Sequence, residues 1–99
     1  MDGFEVRVDR DCVVWLSGEL DMATVGEFTA TAVGALDGQR ELVLDISALR
    51  FLDSTGIQAI VETARRTDRG VVLRHPRPNV RRVIDLTDVA THDGIRVEA

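Results

Sequence analysis

The sequence predicts one α/β domain over residues 1–99: a mixed, mostly parallel sheet of four to five strands, an antiparallel hairpin at its start, and about three to four helices. Three observations carry that prediction. Strand and helix patterns follow in the order β-β-α-β-α-β-α-(β), and strands alternating with helices imply βα crossovers. The first two strand patterns are separated by little more than the polar Asp9-Arg10-Asp11, a turn suited to an antiparallel pair. Leu42-Val43-Leu44-Asp45-Ile46 is almost unbroken in its apolarity, as a central parallel strand buried on both faces requires.

Phe4-Glu5-Val6-Arg7-Val8 alternates apolar and polar residues and reads as a half-exposed first strand. Val13-Val14-Trp15-Leu16 is the second strand, after which Ser17-Gly18-Glu19-Leu20-Asp21 is expected to leave the sheet as a loop. Thr24 and Glu27 have the spacing of a capping box, and Val25, Phe28, Ala32, Val33 and Leu36 form one helical stripe that Gly38 is placed to end. Gly26 and Gly34 lower the intrinsic propensity of that helix, so its packed face must carry it. After the central strand, a short connection leads to a second helix from about Ser54 to Asp68, with Ile57, Ile60, Val61 and Ala64 inward and Gly70 beyond its end. Val71-Val72-Leu73 is a short strand. Pro78 suits the first position of a third helix, whose stripe is Val80, Val83, Ile84 and Thr87. Ile95-Arg96-Val97 is the last edge strand. Sites in such sheets gather at the carboxyl ends of the strands, which puts Asp53–Gly56 and the Gly18–Asp21 loop side by side.

Composition narrows the function. The single cysteine, Cys12, rules out an internal disulfide and suits a reducing compartment. No signal peptide is expected after Met1, and no apolar run approaches the ~18 residues of a membrane span, so the expected location is the cytoplasm. Residues 1–64 hold twelve acids and four arginines, whereas residues 65–82 hold seven arginines against Asp68 alone. The stretch Arg65–Arg82 can be read as solvated helix faces paired with nearby acids, or as a contact for nucleic acid. Few aromatics and a net charge of −5 weigh against direct nucleic-acid binding. Cys12, His75 and His92 lack metal-ligand spacing, so no metal or cofactor is expected. Neither a phosphate-binding glycine loop nor a nucleophile elbow is present, so no enzyme is expected. Asp45 could in principle accept a phosphoryl group. That chemistry wants a neighbouring acidic pair and a lysine, and the chain has no lysine, so Asp45 reads as an acceptor for backbone N–H groups in the next turn.

The junction Asp53-Ser54-Thr55-Gly56 remains. A helix start presents unpaired N–H groups and partial positive charge, so a hydroxyl there can cap the helix or carry a phosphate that the helix end tolerates. Asp53, Ser54 and Thr55 are all capable caps, and Thr55 with Gln58 repeats the capping-box spacing; spacing alone therefore reads as structure first. The redundancy leaves Ser54 spare to point outward. Gly56 is expected to clear room for an approaching active site or phosphate.

These residues resemble a known family. Leu49-Arg50-Phe51-Leu52-Asp53-Ser54-Thr55-Gly56-Ile57 is similar to the phosphorylation-site signature of STAS domains, and more narrowly of the bacterial anti-sigma-factor antagonists. Leu16–Asp21, Leu42–Asp45 and Val80–Thr87 match in the right order, so the similarity covers nearly the whole chain. It implies a single STAS-like domain, a monomer, in which Ser54 accepts phosphate from an anti-sigma factor of histidine-kinase-like ATPase fold. The nucleotide and metal would belong to that partner. The unphosphorylated form would bind the anti-sigma factor and free the sigma factor; phosphorylation would end the binding, and a serine phosphatase would restore it. Asp21, Asp53, Ser54, Thr55 and Gly56 are the expected partner-binding residues. His75-Pro76-Arg77-Pro78 is more basic and proline-rich than in a typical member. The alternative is a stand-alone STAS subunit docked on the ATPase of a lipid-transport ABC complex, where Ser54 or Thr55 makes a contact with no phosphate involved.

Overall fold

A computed structural model of the chain describes residues 3–36, 41–89 and 94–99. Gly38 and His92 lie outside the described residues. The elements are β1 (Glu5–Val8), β2 (Val13–Leu20), α1 (Val25–Ala35), β3 (Leu42–Leu52), α2 (Ser54–Ala64), β4 (Val71–Arg74), α3 (Pro78–Leu86) and β5 (Ile95–Glu98). They form one five-stranded sheet in the order β1-β2-β3-β4-β5, with β1 antiparallel to β2 and the remaining pairs parallel. Crossovers between neighbouring parallel strands are right-handed, and three of them stepping in one direction put α1, α2 and α3 on the same face. The core agrees: Val14 and Leu16, Leu42, Leu44 and Ile46, Val71 and Leu73, and Ile95 form one cluster with Phe28 and Ala32 of α1, Ile57 and Ile60 of α2, and Val80 and Ile84 of α3. Alternate residues of each strand supply it, as the two-residue period of a strand dictates.

The other face carries a cross-strand row, Arg7-Trp15-Asp45-Arg74-Glu98, set by the register of all four pairings. The Trp15 ring lies under two guanidiniums, Arg7 at 5.1 Å and Arg74 at 5.5 Å, and its indole N–H donates to Asp9 Oδ2 at 2.8 Å. Asp45 is buried. Its Oδ1 accepts from the Ser47 hydroxyl (2.6 Å) and Ser47 N–H (3.0 Å), and its Oδ2 accepts from Arg74 Nε at 2.9 Å. Burial alone would raise this carboxyl; the Ser47 hydroxyl and backbone bonds and the Arg74 guanidinium outweigh it and hold the group below the usual carboxylate range. Asp45 thus accepts a backbone N–H, as expected, but within the strand rather than in a turn, and it adds an ion pair to a residue 29 positions away that local pattern does not reveal.

Two expectations are corrected. Ser17–Leu20 does not leave the sheet, and β3 does not stop at Ile46. Both strands run on and pair with each other, Ser17↔Ala48 through Leu20↔Leu52, across two register shifts. The shifts absorb polar and small residues that disguise the strand. Gly18 sits at φ 90°, and a Cβ there would stand 2.5 Å from the Gly3 carbonyl oxygen. The second helix is also shorter than expected, ending at Ala64 with Arg65 as its cap.

Candidate functional site

Because β2 and β3 continue to Leu20 and Leu52, two helix starts stand side by side at the carboxyl end of the sheet. Asp53 is the N-cap of α2: its Oδ1 accepts the Gly56 N–H at 3.0 Å, and its carbonyl accepts the Ile57 N–H at 3.0 Å. Ser54 occupies the first helical position and is exposed. With the capping already done by Asp53, the serine hydroxyl is not required by the helix. Thr55 is half-buried and lines a groove of about 310 Å³ between α1 and α2, together with Val25, Thr29, Gln58 and Arg66.

The start of α1 lies where the sequence places it but is held differently, by a hydrogen-bonded turn over Asp21–Thr24 that precedes the helix. Thr24 is the last residue before the helix, yet it makes no side-chain cap bond to it. Its hydroxyl instead accepts the Asp21 N–H at 3.0 Å and donates to the Glu19 carbonyl at 2.8 Å. Asp21 Oδ1 accepts the Ala23 N–H at 2.9 Å, and the Asp21 carbonyl accepts the Val25 N–H at 2.9 Å. These bonds close the turn before α1, and the expected Thr24–Glu27 capping box is not made. Met22 follows Asp21 as Ser54 follows Asp53, and it is 77% exposed.

The two starts are fastened together. The Asp53 N–H points to the Leu20 carbonyl at 3.4 Å. Gly56, expected to open space for a partner, is buried, and this corrects its assignment. A Cβ on it would lie 2.7 Å from Leu52 Cδ1 and 2.9 Å from the Leu20 carbonyl oxygen, so the absent side chain lets α2 seat against the ends of β2 and β3. The end of the domain thus brings together Asp21, Asp53, Ser54 and the edge of Thr55, with Glu19 beside them, and excludes Gly56 from its surface.

Sequence reading missed two apolar members of this end. Met22 is one; Phe51, in register with Glu19 and 45% exposed, is the other. A methionine among the polar residues of a capped turn, and an aromatic next to a buried leucine at a strand end, are the signals that could have found them. Four arginines of the 65–82 stretch have partners of their own. Arg65 pairs with Glu62 (2.8 Å), Arg74 with Asp45, and Arg81 with Asp85 (3.1 Å), while Arg77 donates to the Ser47 carbonyl at 2.9 Å. Among the described residues, no group of three or more His, Cys, Asp or Glu is placed to hold a metal ion. No helix among them is long and apolar enough to cross a membrane.

A one-sided α/β sheet with an Asp-capped, serine-bearing helix start at its carboxyl end defines the class as a STAS domain. The chain belongs to that family: residues 4–97 match the family model described as "Mlab, STAS domain". A crystal structure of an anti-sigma factor antagonist from Mycobacterium paratuberculosis is 31% identical, with a TM-score of 0.75, over 97% of this chain and 86% of that one. The anti-sigma factor antagonist SpoIIAA in its unphosphorylated form shares the fold at 21% identity and TM-score 0.63, covering 96% of this chain and 86% of that one. An anti-sigma-factor antagonist (STAS) domain protein from Planctomyces limnophilus shares it at 16% identity and TM-score 0.70, covering 97% and 90%. No curated protein matches the chain in sequence.

Proposed function

We propose that this protein is a cytoplasmic anti-sigma-factor antagonist that binds a serine-kinase anti-sigma factor while Ser54 is unmodified and releases it once Ser54 is phosphorylated. The observation that carries this reading is the division of labour at the α2 start: Asp53 caps, and Ser54 stands exposed with its hydroxyl spare. The 31% identity to an anti-sigma factor antagonist supports the class of partner.

The physical logic is local. A phosphoserine adds about −1.5 to −2 charges at neutral pH. At the first position of an 11-residue helix the unpaired N–H groups and the dipole favour that charge, so the fold is little disturbed. The partner meets a different surface. Glu19, Asp21 and Asp53 already make this end acidic, and a phosphate among them repels a surface that accepted a hydroxyl and is costly to desolvate. The switch therefore acts on binding, with the ATP and metal held by the kinase and the phosphate removed by a serine phosphatase.

Intact mass after incubation with ATP and the candidate kinases of the source genome tests the reading. Wild type gains one phosphate, mapped to Ser54; Ser54→Ala gains none and still binds; Ser54→Asp binds poorly. If Ser54→Asp holds the kinase as tightly as wild type, the switch is wrong. Co-purification of a transport ATPase and permease in place of a kinase would move the domain to the lipid-transport reading.

A further inference from the structure

We infer that Met22 is the apolar anchor of the interface switched by Ser54, and that the partner meets it with an apolar socket rimmed by cationic side chains. The inference rests on the reading of Ser54 given above and names a residue and a partner surface that it does not.

Leu20 and Leu52 are partners in adjacent parallel strands, and each is followed by an aspartate, Asp21 holding the turn before α1 and Asp53 capping α2, and then by the residue in question. Met22 therefore stands in the turn that leads from β2 into α1, two residues before Thr24, beside the α2 start that carries Ser54, and the two segments are tied by the Asp53 N–H to the Leu20 carbonyl. Adjacent strands lie about 5 Å apart and packed helices 8–10 Å, so the two residues are separated by on the order of 10 Å. A protein interface of standard size covers about 800 Å² per partner, a disc roughly 16 Å in radius. A partner that covers Ser54 covers Met22 as well.

Exposure and rigidity then set the role. Met22 is 77% exposed, so nearly all of its side chain is available for burial on binding. The turn that displays it is held before any partner arrives, by the Asp21–Ala23 and Asp21–Thr24 bonds and by the Thr24 hydroxyl on Glu19. Pre-organisation lowers the ordering cost of binding, and an apolar side chain on a rigid turn is the kind of residue that carries a large share of affinity. Acids accompany Met22: Asp21 on its own turn, Glu19 at the end of β2 and Asp53 at the adjoining start of α2. A complementary surface must present positive groups around the socket.

The experiment titrates the full chain against each purified histidine-kinase-fold anti-sigma factor of the source genome, with ADP, at low and high salt. The variants are Met22→Ala, Met22→Leu, Leu86→Ala and Ser54→Asp. Leu86 is the control: it is equally exposed at 77%, but it ends α3 and so lies at the opposite end of the sheet. Met22→Ala is expected to bind about tenfold more weakly or worse, as befits an apolar side chain fully buried on binding. Met22→Leu stays within about threefold and Leu86→Ala is unchanged, while thermal midpoints hold and added salt weakens wild-type binding. If Met22→Ala binds like wild type while Ser54→Asp does not, the anchor is overturned and the switch stands. If Ser54→Asp binds like wild type, or wild type binds none of these kinases, the switch reading fails and the anchor falls with it.

Discussion

Replacing Gly56 by alanine sets two effects of opposite sign against each other. Alanine is the better helix former by about 1 kcal/mol, so an unobstructed helical position would gain from the change. Here the added Cβ arrives 2.7 Å from Leu52 Cδ1, 2.9 Å from the Leu20 carbonyl oxygen and 3.0 Å from Leu20 Cγ. Leu52 and Leu20 are buried, and the carbonyl belongs to a strand paired through Leu20↔Leu52, so neither neighbour can give way cheaply. Overpacking of that kind costs about 1–3 kcal/mol. One of the contacts under 3.0 Å is to backbone, so the cost falls in the upper part of that range, about 2–3 kcal/mol, and after the gain of about 1 kcal/mol the net expectation is a loss of about 1–2 kcal/mol, which lowers the thermal midpoint of a domain this size by roughly 4–16 °C. The assay is urea unfolding followed by the fluorescence of the sole tryptophan, Trp15, with circular dichroism as a second probe. Gly26→Ala and Gly34→Ala in α1 are the matched controls. A Cβ at either meets nothing within 4 Å, so each should stabilise by about 0.5–1 kcal/mol. A Gly56→Ala protein as stable as wild type, or more so, would refute the packing role and return that glycine to the surface.

The capping assignments make separable predictions. Asp53→Ala should cost about 1 kcal/mol by urea titration, while Ser54→Ala stays within about 0.5 kcal/mol; the reverse order would mean that the serine is the cap. Thr24→Val should cost about 1–2 kcal/mol and raise hydrogen exchange at the Asp21 amide, whereas Glu27→Ala changes stability by less than about 0.5 kcal/mol. Asp45 predicts a pH dependence. Its folded-state carboxyl lies below its unfolded value, so its contribution is complete above the unfolded pKa, about 3.9, and is lost as pH falls through the folded value. Wild type should exceed Asp45→Asn in stability at pH 7, and the gap should close below about pH 4; a gap that persists unchanged to pH 2 would contradict the ion pair.

Much of this architecture was legible along the chain, because apolar period decides it. The hairpin, the central strand, the three helices and their inward stripes follow from residues such as Val14, Leu44, Ile60 and Ile84, whose spacing alone tells which face they take. Legibility failed where the cause is another segment. Ser17 and Ala48 look like loop until each is seen to be the other's strand partner. Thr24-x-x-Glu27 has the spacing of a capping box, but the Thr24 hydroxyl is taken by the Asp21 N–H and the Glu19 carbonyl, partners that the spacing does not reveal. The place of Gly56 depends on Leu20, 36 positions earlier. Of the expected surface residues, Asp21, Asp53, Ser54 and Thr55 stand at one end, and the motif that marked them carried no hint of Met22.

The strand order has a further consequence. Every connection joins neighbours in the sheet, so each βα unit docks on one already laid down. Both helix starts are complete once the chain has passed Gly56, before α3 or β5 exists. Wiring of this sort lets the sheet grow one βα unit at a time in chain order, although each parallel pairing must wait for its crossover helix. The last third of the polypeptide then closes the core with Val71, Leu73, Val80, Ile84 and Ile95, and it grips the continuation of β3 through side-chain bonds from Arg77 to the Ser47 carbonyl and from Asn79 to the Arg50 carbonyl.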